Sequence, residues 1–361
     1  MSTSLHVAIT VEQYWHQVPG GTATSVWEMA HALSERHLEM TGVSAMHKEK
    51  PPARFRSQMP IEWLPLPRTV LYEAWHRLRA PKVQFATGPV DVIHATTLAI
   101  PPKSAPLVVT IHDLAFLRSP EHFTARGNRF FQRGLALALK DADVVVVPSE
   151  ASAADCLAHG FSADRVRVVP WGVDQNVASD ASVDDVKRRF GLESYILWSG
   201  TIEPRKNLPR LVEAFRTMET DLTLALAGPE GWNEDLDRLI GPDRGRIVPL
   251  GFVAPDDLQA LYRGAAAFCY PSLFEGFGLP VVEAMAQGTP VVTSRGTATE
   301  EAAGGAAVLV DPTDVASIAE GITIALGARA ELSSQGIERA RTLPWSTCAQ
   351  KIHAIYSEVA R

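Results

Sequence analysis

Cysteine is scarce in this chain: Cys156, Cys269 and Cys348 are the three among 361 residues. They lie far apart, are odd in number and form no CxxC spacing, so neither a disulfide framework nor a zinc site is suggested, and a reducing compartment fits. No window offers ~18 uninterrupted apolar residues, the length a membrane-spanning helix needs. The opening MSTSLHVAITVEQYW lacks the basic-then-apolar layout of a signal peptide. Positive charge is in the minority, with 34 Lys and Arg against 41 Asp and Glu and a net charge of −7. That balance argues against a nucleic-acid binder held by overall charge. The expectation is a soluble, cytoplasmic protein. Residues 68–82, RTVLYEAWHRLRAPK, mix aromatic and basic side chains and keep two readings open: a helix packed on its own domain, or a peripheral contact with the inner face of an anionic membrane.

Apolar residues are plentiful, at 46%, and the chain is too long for one ordinary core, so two domains are expected. Short apolar runs at 5–10, 92–95, 107–111, 144–147 and 166–169 alternate with helical periodicity. The pattern recurs at 195–198, 222–227, 247–250, 266–269, 291–293 and 308–310. Such alternation predicts an α/β architecture of two doubly wound, Rossmann-like domains, whose ligands collect at the carboxyl ends of parallel strands. The polar stretch 175–189 reads as a linker. The domains are therefore placed at 1–174 and 175–344, with a last helix over 345–361.

Residues 274–283, FEGFGLPVVE, carry the clearest chemistry. Gly276 and Gly278 allow a tight turn after a strand, and an apolar helix comes next with Pro280 in its first turn, where the missing N–H costs nothing. A helix start behind a glycine turn presents backbone N–H groups and a positive dipole end, which suits a phosphate. Glu275 and Glu283 stand eight residues apart, roughly 12 Å along an ideal helix. A retaining glycosidase needs its carboxyls about 5 Å apart, so the spacing instead suits hydroxyl-rich groups on either side of a diphosphate. Glu275 is expected to contribute little to the core. The stretch 199–207, SGTIEPRKN, puts Arg205 and Lys206 at a strand exit, where cations would complement a diphosphate leaving group. Gly20 and Gly21, in PGGT, open a helix after the first strand. His112 and Asp113 end another strand, with Asp113 able to orient the imidazole or cap the next turn of chain; His94 also ends a strand, with structural and functional readings open. Asp141 and Asp143 match a metal-binding Asp-x-Asp pattern, but they immediately precede the apolar run VVVVP and read as a turn leading into a strand. Too few oxygen ligands lie in that stretch for a divalent ion.

Residues 271–290, PSLFEGFGLPVVEAMAQGTP, resemble the Glu-x7-Glu signature of the retaining glycosyltransferase family 4, and SGTIEPRKNL and VTIHDLAFL resemble its phosphate-binding loop and cleft segment. The closest likeness in motifs is to bacterial mannosyltransferases. The resemblance runs over nearly the whole chain and implies the GT-B fold, two Rossmann-like domains facing across a cleft, with the final helix crossing back to the first. It implies transfer of a hexose, mannose by motif, from a nucleoside diphosphate sugar such as GDP-mannose to a carbohydrate or lipid-linked acceptor, with retention and with no metal or other cofactor. The catalytic set so implied is Glu275, His112, Lys206 and Arg205; the donor-binding set is Gly20, Gly21, Gly276, Phe277, Gly278, Leu279 and Glu283. Two departures stand out. The motif's arginine usually comes directly after the glycine, where this chain has Thr201, and Trp171 replaces a usual asparagine. Rival readings are a GT-B epimerase, a pyridoxal-phosphate-dependent phosphorylase, or a nucleotide-sugar binder without activity.

Overall fold

The computed structural model describes residues 4–16, 20–56, 59–229, 231 and 235–361. The chain divides into two units, Met1–Gly172 with Trp345–Arg361, and Val173–Pro344.

The first unit is built on seven strands: β1 (His6–Thr10), β2 (Glu39–Ala45), β3 (Ile61–Leu64), β4 (Val92–Ala95), β5 (Leu107–Thr110), β6 (Val144–Val147) and β7 (Val166–Val168). All pairings are parallel, in the order β3-β2-β1-β4-β5-β6-β7. The chain winds outward from β1 to β3, then returns to lay β4 on the other side of β1. Strand order therefore reverses between β1 and β4, which makes a crevice at their carboxyl ends. β4, β5 and β6 are buried along their whole length, as expected of strands covered on both faces.

β2 and β3 are absent from the sequence reading. β2 reads EMTGVSA, without a continuous apolar run, because its buried positions are filled by small residues. At Gly42 an added Cβ would lie 3.0 Å from Met59 Cε and 3.1 Å from Ile61 Cγ1, so the neighbouring strand packs where a larger side chain would stand.

The helix Trp345–Val359 belongs to this unit. Buried Tyr356 on it meets His94 Nδ1 at 2.6 Å, and His94 Nε2 meets Thr110 Oγ1 at 2.8 Å. Where the chain leaves and re-enters the unit, an added Cβ at Gly172 would sit 2.5 Å from Trp345 Cα. Only glycine permits that approach.

The second unit has six parallel strands: β8 (Tyr195–Ser199), β9 (Thr223–Ala227), β10 (Ile247–Gly251), β11 (Ala267–Tyr270), β12 (Val291–Ser294) and β13 (Val308–Val310). Their order is β10-β9-β8-β11-β12-β13. The reversal here falls between β8 and β11.

Residues 175–189 are not a linker throughout. A helix, Asp180–Phe190, starts on the Ser179 hydroxyl, which accepts from Ser182 N–H, and ends at left-handed Gly191 (φ 65°). It packs on the helix Pro255–Gly264, burying Val186, while Arg189 holds Asp257 at 2.5 Å. Its charges made it read as a linker: they pair across the surface, and Val186 is its one fully buried residue.

Residues 68–82 contain the helix Arg68–Arg77, with Leu71 and Trp75 both 1% exposed. Their apolar anchors face the unit's own core, although Val70 and Leu78 stay exposed. Among the described residues no helix is long and apolar enough to cross a membrane. Asp141 pairs with Arg79 at 2.7 Å and Asp143 with Lys103 at 2.7 Å, while Asp143 also accepts from Leu107 N–H. Both carboxylates are thus committed to the turn that leads into β6.

Candidate functional site

In the second unit the turns after β8 and β11 meet, at the switch point of the sheet. After β8 the chain makes a short 3-10 turn, Pro204–Lys206, and then enters the helix Leu208–Thr217. Asn207 joins them in a left-handed conformation (φ 60°), fixed because its amide donates to the carbonyls of Pro271 (2.9 Å) and Pro312 (2.6 Å). Leu273 N–H donates to Arg205 O at 2.8 Å. These bonds clamp the two turns together.

Glu275 is the hub. Its carboxylate receives Lys206 Nζ at 2.5 Å, Arg205 Nη1 at 2.8 Å, Ser272 Oγ at 2.7 Å and Tyr270 Oη at 2.9 Å. Arg205 also reaches Glu203 at 2.7 Å through Nε. Lys206 donates to Tyr270 Oη as well. Glu203, Lys206 and Glu275 are all buried. Burial alone would raise the Glu275 pKa, but the Arg205 guanidinium and Lys206 ammonium outweigh it and bring it down to about 2. Burial, then the Arg205 charge, lowers the Lys206 pKa, with Glu275 and Glu203 opposing.

The expectation that Glu275 matters little to the core is corrected here. A carboxylate with four donors is a structural keystone as well as a site residue, because removing it would strand a buried ammonium. The arginine and lysine expected to face a diphosphate are already paired: two carboxylates and two cations make the cluster neutral. Lys206 spends two of its three N–H donors on Glu275 and Tyr270, which leaves one for an incoming oxygen. Sequence reasoning missed Glu203, Tyr270, Ser272 and Asn207. Glu203 lies in SGTIEPRKN, two residues before the arginine, so an acidic partner at that spacing was there to be read.

Beyond Glu275 the chain turns through Gly276, Phe277 and Gly278 into the helix Leu279–Ala286, with Pro280 in its first turn. Gly278 has φ 104°, and an added Cβ would meet Thr299 Cγ2 at 2.8 Å. This turn requires glycine, and it brings the helix start close to the ion cluster in sequence. Glu283 lies on that helix, half-buried, with Tyr262 Oη 3.3 Å from its Oε2. After β9, Gly228 approaches the β8 exit so closely that an added Cβ would lie 1.8 Å from Gly200 O.

The remaining assigned residues belong to the first unit. His112 stands just after β5, and its Nε2 lies 3.0 Å from Thr96 O. A carbonyl only accepts, so Nε2 carries the hydrogen and, in the neutral ring, Nδ1 is an acceptor. Burial lowers the His112 pKa, against the Thr96 contact and Asp113, which favours the neutral form. Asp113 caps the next turn of chain by accepting from Ala115 N–H at 3.0 Å. Trp171 packs its ring 5.6 Å from that of His112. His94 is held on both ring nitrogens within the core and has no exposure; burial lowers its pKa to about 3. Its place is structural. Gly20 (φ 59°) and Gly21 form the exposed first turn of the helix Gly20–Ser34; Pro19, just before, lies outside the described residues.

His112 lines a cavity of about 1230 Å³ within the first unit, at the carboxyl ends of its strands. Among the described residues no group of three or more His, Cys, Asp or Glu side chains is arranged to hold a metal ion.

Residues 193–327 match the family model for glycosyl transferases group 1, and residues 19–177 that for glycosyltransferase family 4. The O-antigen chain mannosyltransferase B of Escherichia coli is 33% identical over 279 residues, covering 73% of each chain. A serotype-specific mannosyltransferase, WbdA of Escherichia coli, is 29% identical over 275 residues, covering 70% of this chain and 34% of WbdA, so this chain spans about a third of that relative's length. Among solved structures, HepE from Anabaena in complex with UDP-glucose has a TM-score of 0.77 at 21% identity, with 98% of this chain and 100% of that one covered. With two parallel sheets of the GT-B kind and sequence relatives over most of its length, the chain belongs to glycosyltransferase family 4.

Proposed function

We propose that this glycosyltransferase moves mannose from GDP-mannose to an acceptor hydroxyl with retention of anomeric configuration. The observation that carries the reading is the Arg205–Lys206–Glu275 cluster at the β8/β11 switch point, its lysine and carboxylate buried, next in sequence to a glycine turn and helix start. Such a corner unites a cationic pair, backbone donors and a fully ionised carboxylate. A nucleoside diphosphate sugar has the matching parts: two phosphates for the cations and the amides around Gly276–Leu279, sugar hydroxyls for Glu275, and ribose hydroxyls for Glu283. Mannose is supported by the mannosyltransferase relatives, and HepE with UDP-glucose supports a nucleotide-sugar donor more generally.

In this reading the acceptor oxygen bonds to the anomeric carbon on the face the diphosphate leaves, the carbon–diphosphate bond breaks, and the acceptor proton passes to a phosphate oxygen. No protein base is needed. Arg205 and Lys206 stabilise the leaving charge without a metal. His112, with Nε2 held on Thr96 O, has Nδ1 left to accept from a sugar hydroxyl, and the exposed Gly20 and Gly21 allow backbone to come close to a sugar. Glycan or glycolipid assembly is the proposed setting, at the cytoplasmic face of the cell.

The test is turnover of GDP-mannose, UDP-glucose and UDP-galactose with mannoside acceptors, the product anomer being read by NMR. GDP-mannose is expected to be preferred and the product to be the α-mannoside. A β-linked product would sink retention; preference for a UDP-sugar would sink the donor assignment.

A further inference from the structure

The two acids of FEGFGLPVVE are each backed by a buried tyrosine. Tyr270, on β11, puts its Oη 2.9 Å from Glu275 Oε1. Tyr262, on the helix Pro255–Gly264, puts its Oη 3.3 Å from Glu283 Oε2. Phe268 joins the two tyrosines: its ring meets that of Tyr262 edge-on at 5.1 Å and stacks on that of Tyr270 at 5.6 Å. Phe268 and Tyr270 are two apart on β11, and alternate residues of a strand face the same side, so one strand face and one helix carry the whole row. All three residues are 1% exposed or less.

The part played by Tyr270 follows from the ion cluster, whereas Tyr262 belongs to a different chain of contacts. Its hydroxyl is also 2.7 Å from the Oγ of buried Ser199, the last residue of β8. A phenol has one hydrogen and a carboxylate only accepts, so Tyr262 donates to Glu283 and Ser199 in turn donates to Tyr262. Burial, then the Glu283 charge, raises the Tyr262 pKa well above its ordinary value, and the phenol keeps that hydrogen. Hydrogen bonds joined head to tail in a buried place polarise and strengthen one another. The ring that carries the donor is firmly seated. Thr289 Oγ1 donates to the Tyr262 carbonyl, and Tyr195 Oη, from β8, donates to the Leu261 carbonyl at 2.7 Å. These bonds tie the end of the helix Pro255–Gly264 to β8 and to the turn after the helix Leu279–Ala286. Half-buried Glu283 has three side-chain torsions that must be fixed before it can hold a ligand hydroxyl, and one donor on a seated ring selects among them. A carboxylate offers about four acceptor positions, so ligand hydroxyls can join Tyr262 on it.

We propose that Tyr262, oriented by Ser199, is a positioning residue: it fixes the Glu283 carboxylate in the arrangement that receives ribose hydroxyls, and so lets the site tell ribose from a sugar lacking them. The inference rests on the proposed contact between Glu283 and the donor ribose and adds the residues that set it. A site built to hydrogen-bond a hydroxyl rejects the analogue without it, because its own polar group is then left unpaired.

The test compares GDP with 2′,3′-dideoxy-GDP by calorimetry on the full chain, with the matching uridine pair run in parallel so that the base does not decide the result. The wild type is expected to bind the ribonucleotide about tenfold or more tightly than its dideoxy analogue. Tyr262→Phe keeps the ring and removes the donor. Its affinity for the ribonucleotide should fall about tenfold, while that for the dideoxy analogue changes by less than about twofold, so that the discrimination collapses. Ser199→Ala keeps the phenol and removes its orienting partner, and should lose about threefold of the discrimination. In Glu283→Ala the discrimination is already gone, and adding Tyr262→Phe should change it no further. Urea unfolding establishes that each variant is folded, and Ser199→Ala carries the test if Tyr262→Phe does not fold. A uniform loss against both members of a pair would show that Tyr262 only fills the core, and undiminished discrimination in the variants would show that Glu283 needs no positioning; either result overturns the proposal. A wild type that binds both members equally would overturn the Glu283–ribose contact itself, and failure of every nucleotide to bind would overturn the donor reading beneath it.

Discussion

At the scale of single residues, Glu275 holds two positive side chains that the proposed chemistry needs elsewhere. Glu275→Ala is expected to lower stability by about 3–5 kcal/mol, the usual cost of breaking a buried pair by removing one partner, as well as to abolish most transfer. Chemical denaturation checks the first effect, and unchanged stability would mean that Lys206 finds another partner. Lys206→Ala separates roles differently. Its ammonium is proposed to meet phosphate oxygens, so the variant should lose roughly 1.5–3 kcal/mol in binding GDP and far less in binding guanosine, as read by calorimetry. Equal losses on the two ligands would assign Lys206 to the Glu275 cluster alone. What could be read from sequence here was the list of charges, because Arg205, Lys206, Glu275 and Glu283 stand in recognisable strand-exit motifs. Their pairing could not be read. Glu203 stands two residues from Arg205 and could have been read, but Lys206 and Arg205 reach Glu275 and Tyr270 only when β8 and β11 are laid side by side, which no local spacing encodes, and the keystone role of Glu275 arises from that pairing.

At the scale of elements, apolar runs revealed the central strands and concealed the outer ones. β4, β5 and β6 are mostly apolar because both faces are covered, whereas β2 breaks its buried run with Thr41, Gly42 and Ser44 and β3 leaves Trp63 56% exposed. The helix Asp180–Phe190 was hidden by its charges, because its apolar face is narrow, with Val186 as its one fully buried residue. The C-terminal helix is joined to the first sheet by Tyr356 and His94, and that joint titrates. The His94 pKa falls from 6.5 to about 3. Between those values the unfolded chain binds a proton that the folded chain refuses, so the stabilisation is complete above pH 6.5 and drains away as pH falls towards 3. The slope is about 1.4 kcal/mol per pH unit for this one group. His76, lowered to about 4 by burial despite its contact with Leu98 O, acts in the same direction. Urea unfolding at pH 7, 6 and 5 should therefore show a steeper loss for the wild type than for His94→Asn. Parallel slopes would mean that His94 is protonated in the folded chain.

At the scale of the whole molecule, both sheets repeat one plan, winding outward, reversing, and gathering polar groups at the reversal. In the first sheet that place holds a roomy cavity lined by Gln13, Thr97 and His112 together with the charged Arg68, Glu73, Asp113 and Arg126; in the second it holds a dense ion cluster. Donor choice is the property on which the relatives differ in name, since the E. coli protein is a mannosyltransferase at 33% identity and HepE, at 21%, was crystallised with UDP-glucose. The 21% likeness speaks for the shared fold alone, so the proposed mannosyl donor stands or falls on a direct comparison of nucleotide-sugars. A ligand at about 100 times its dissociation constant stabilises the folded chain by about 2.7 kcal/mol, and each kcal/mol moves the melting temperature by roughly 2–4 °C in a chain of 150–250 residues. GDP-mannose is thus expected to raise the melting temperature by several degrees, and UDP-glucose at matched concentration by less. GDP alone should retain most of the shift if the diphosphate contacts dominate, and Lys206→Ala should remove most of what GDP contributes. A larger shift with UDP-glucose would transfer the donor assignment to a glucosyl nucleotide while leaving the phosphate site standing. The absence of a shift with every nucleotide-sugar would be the graver result, because the neutral Arg205–Lys206–Glu203–Glu275 cluster would then be a closed structural network whose cations no diphosphate can claim.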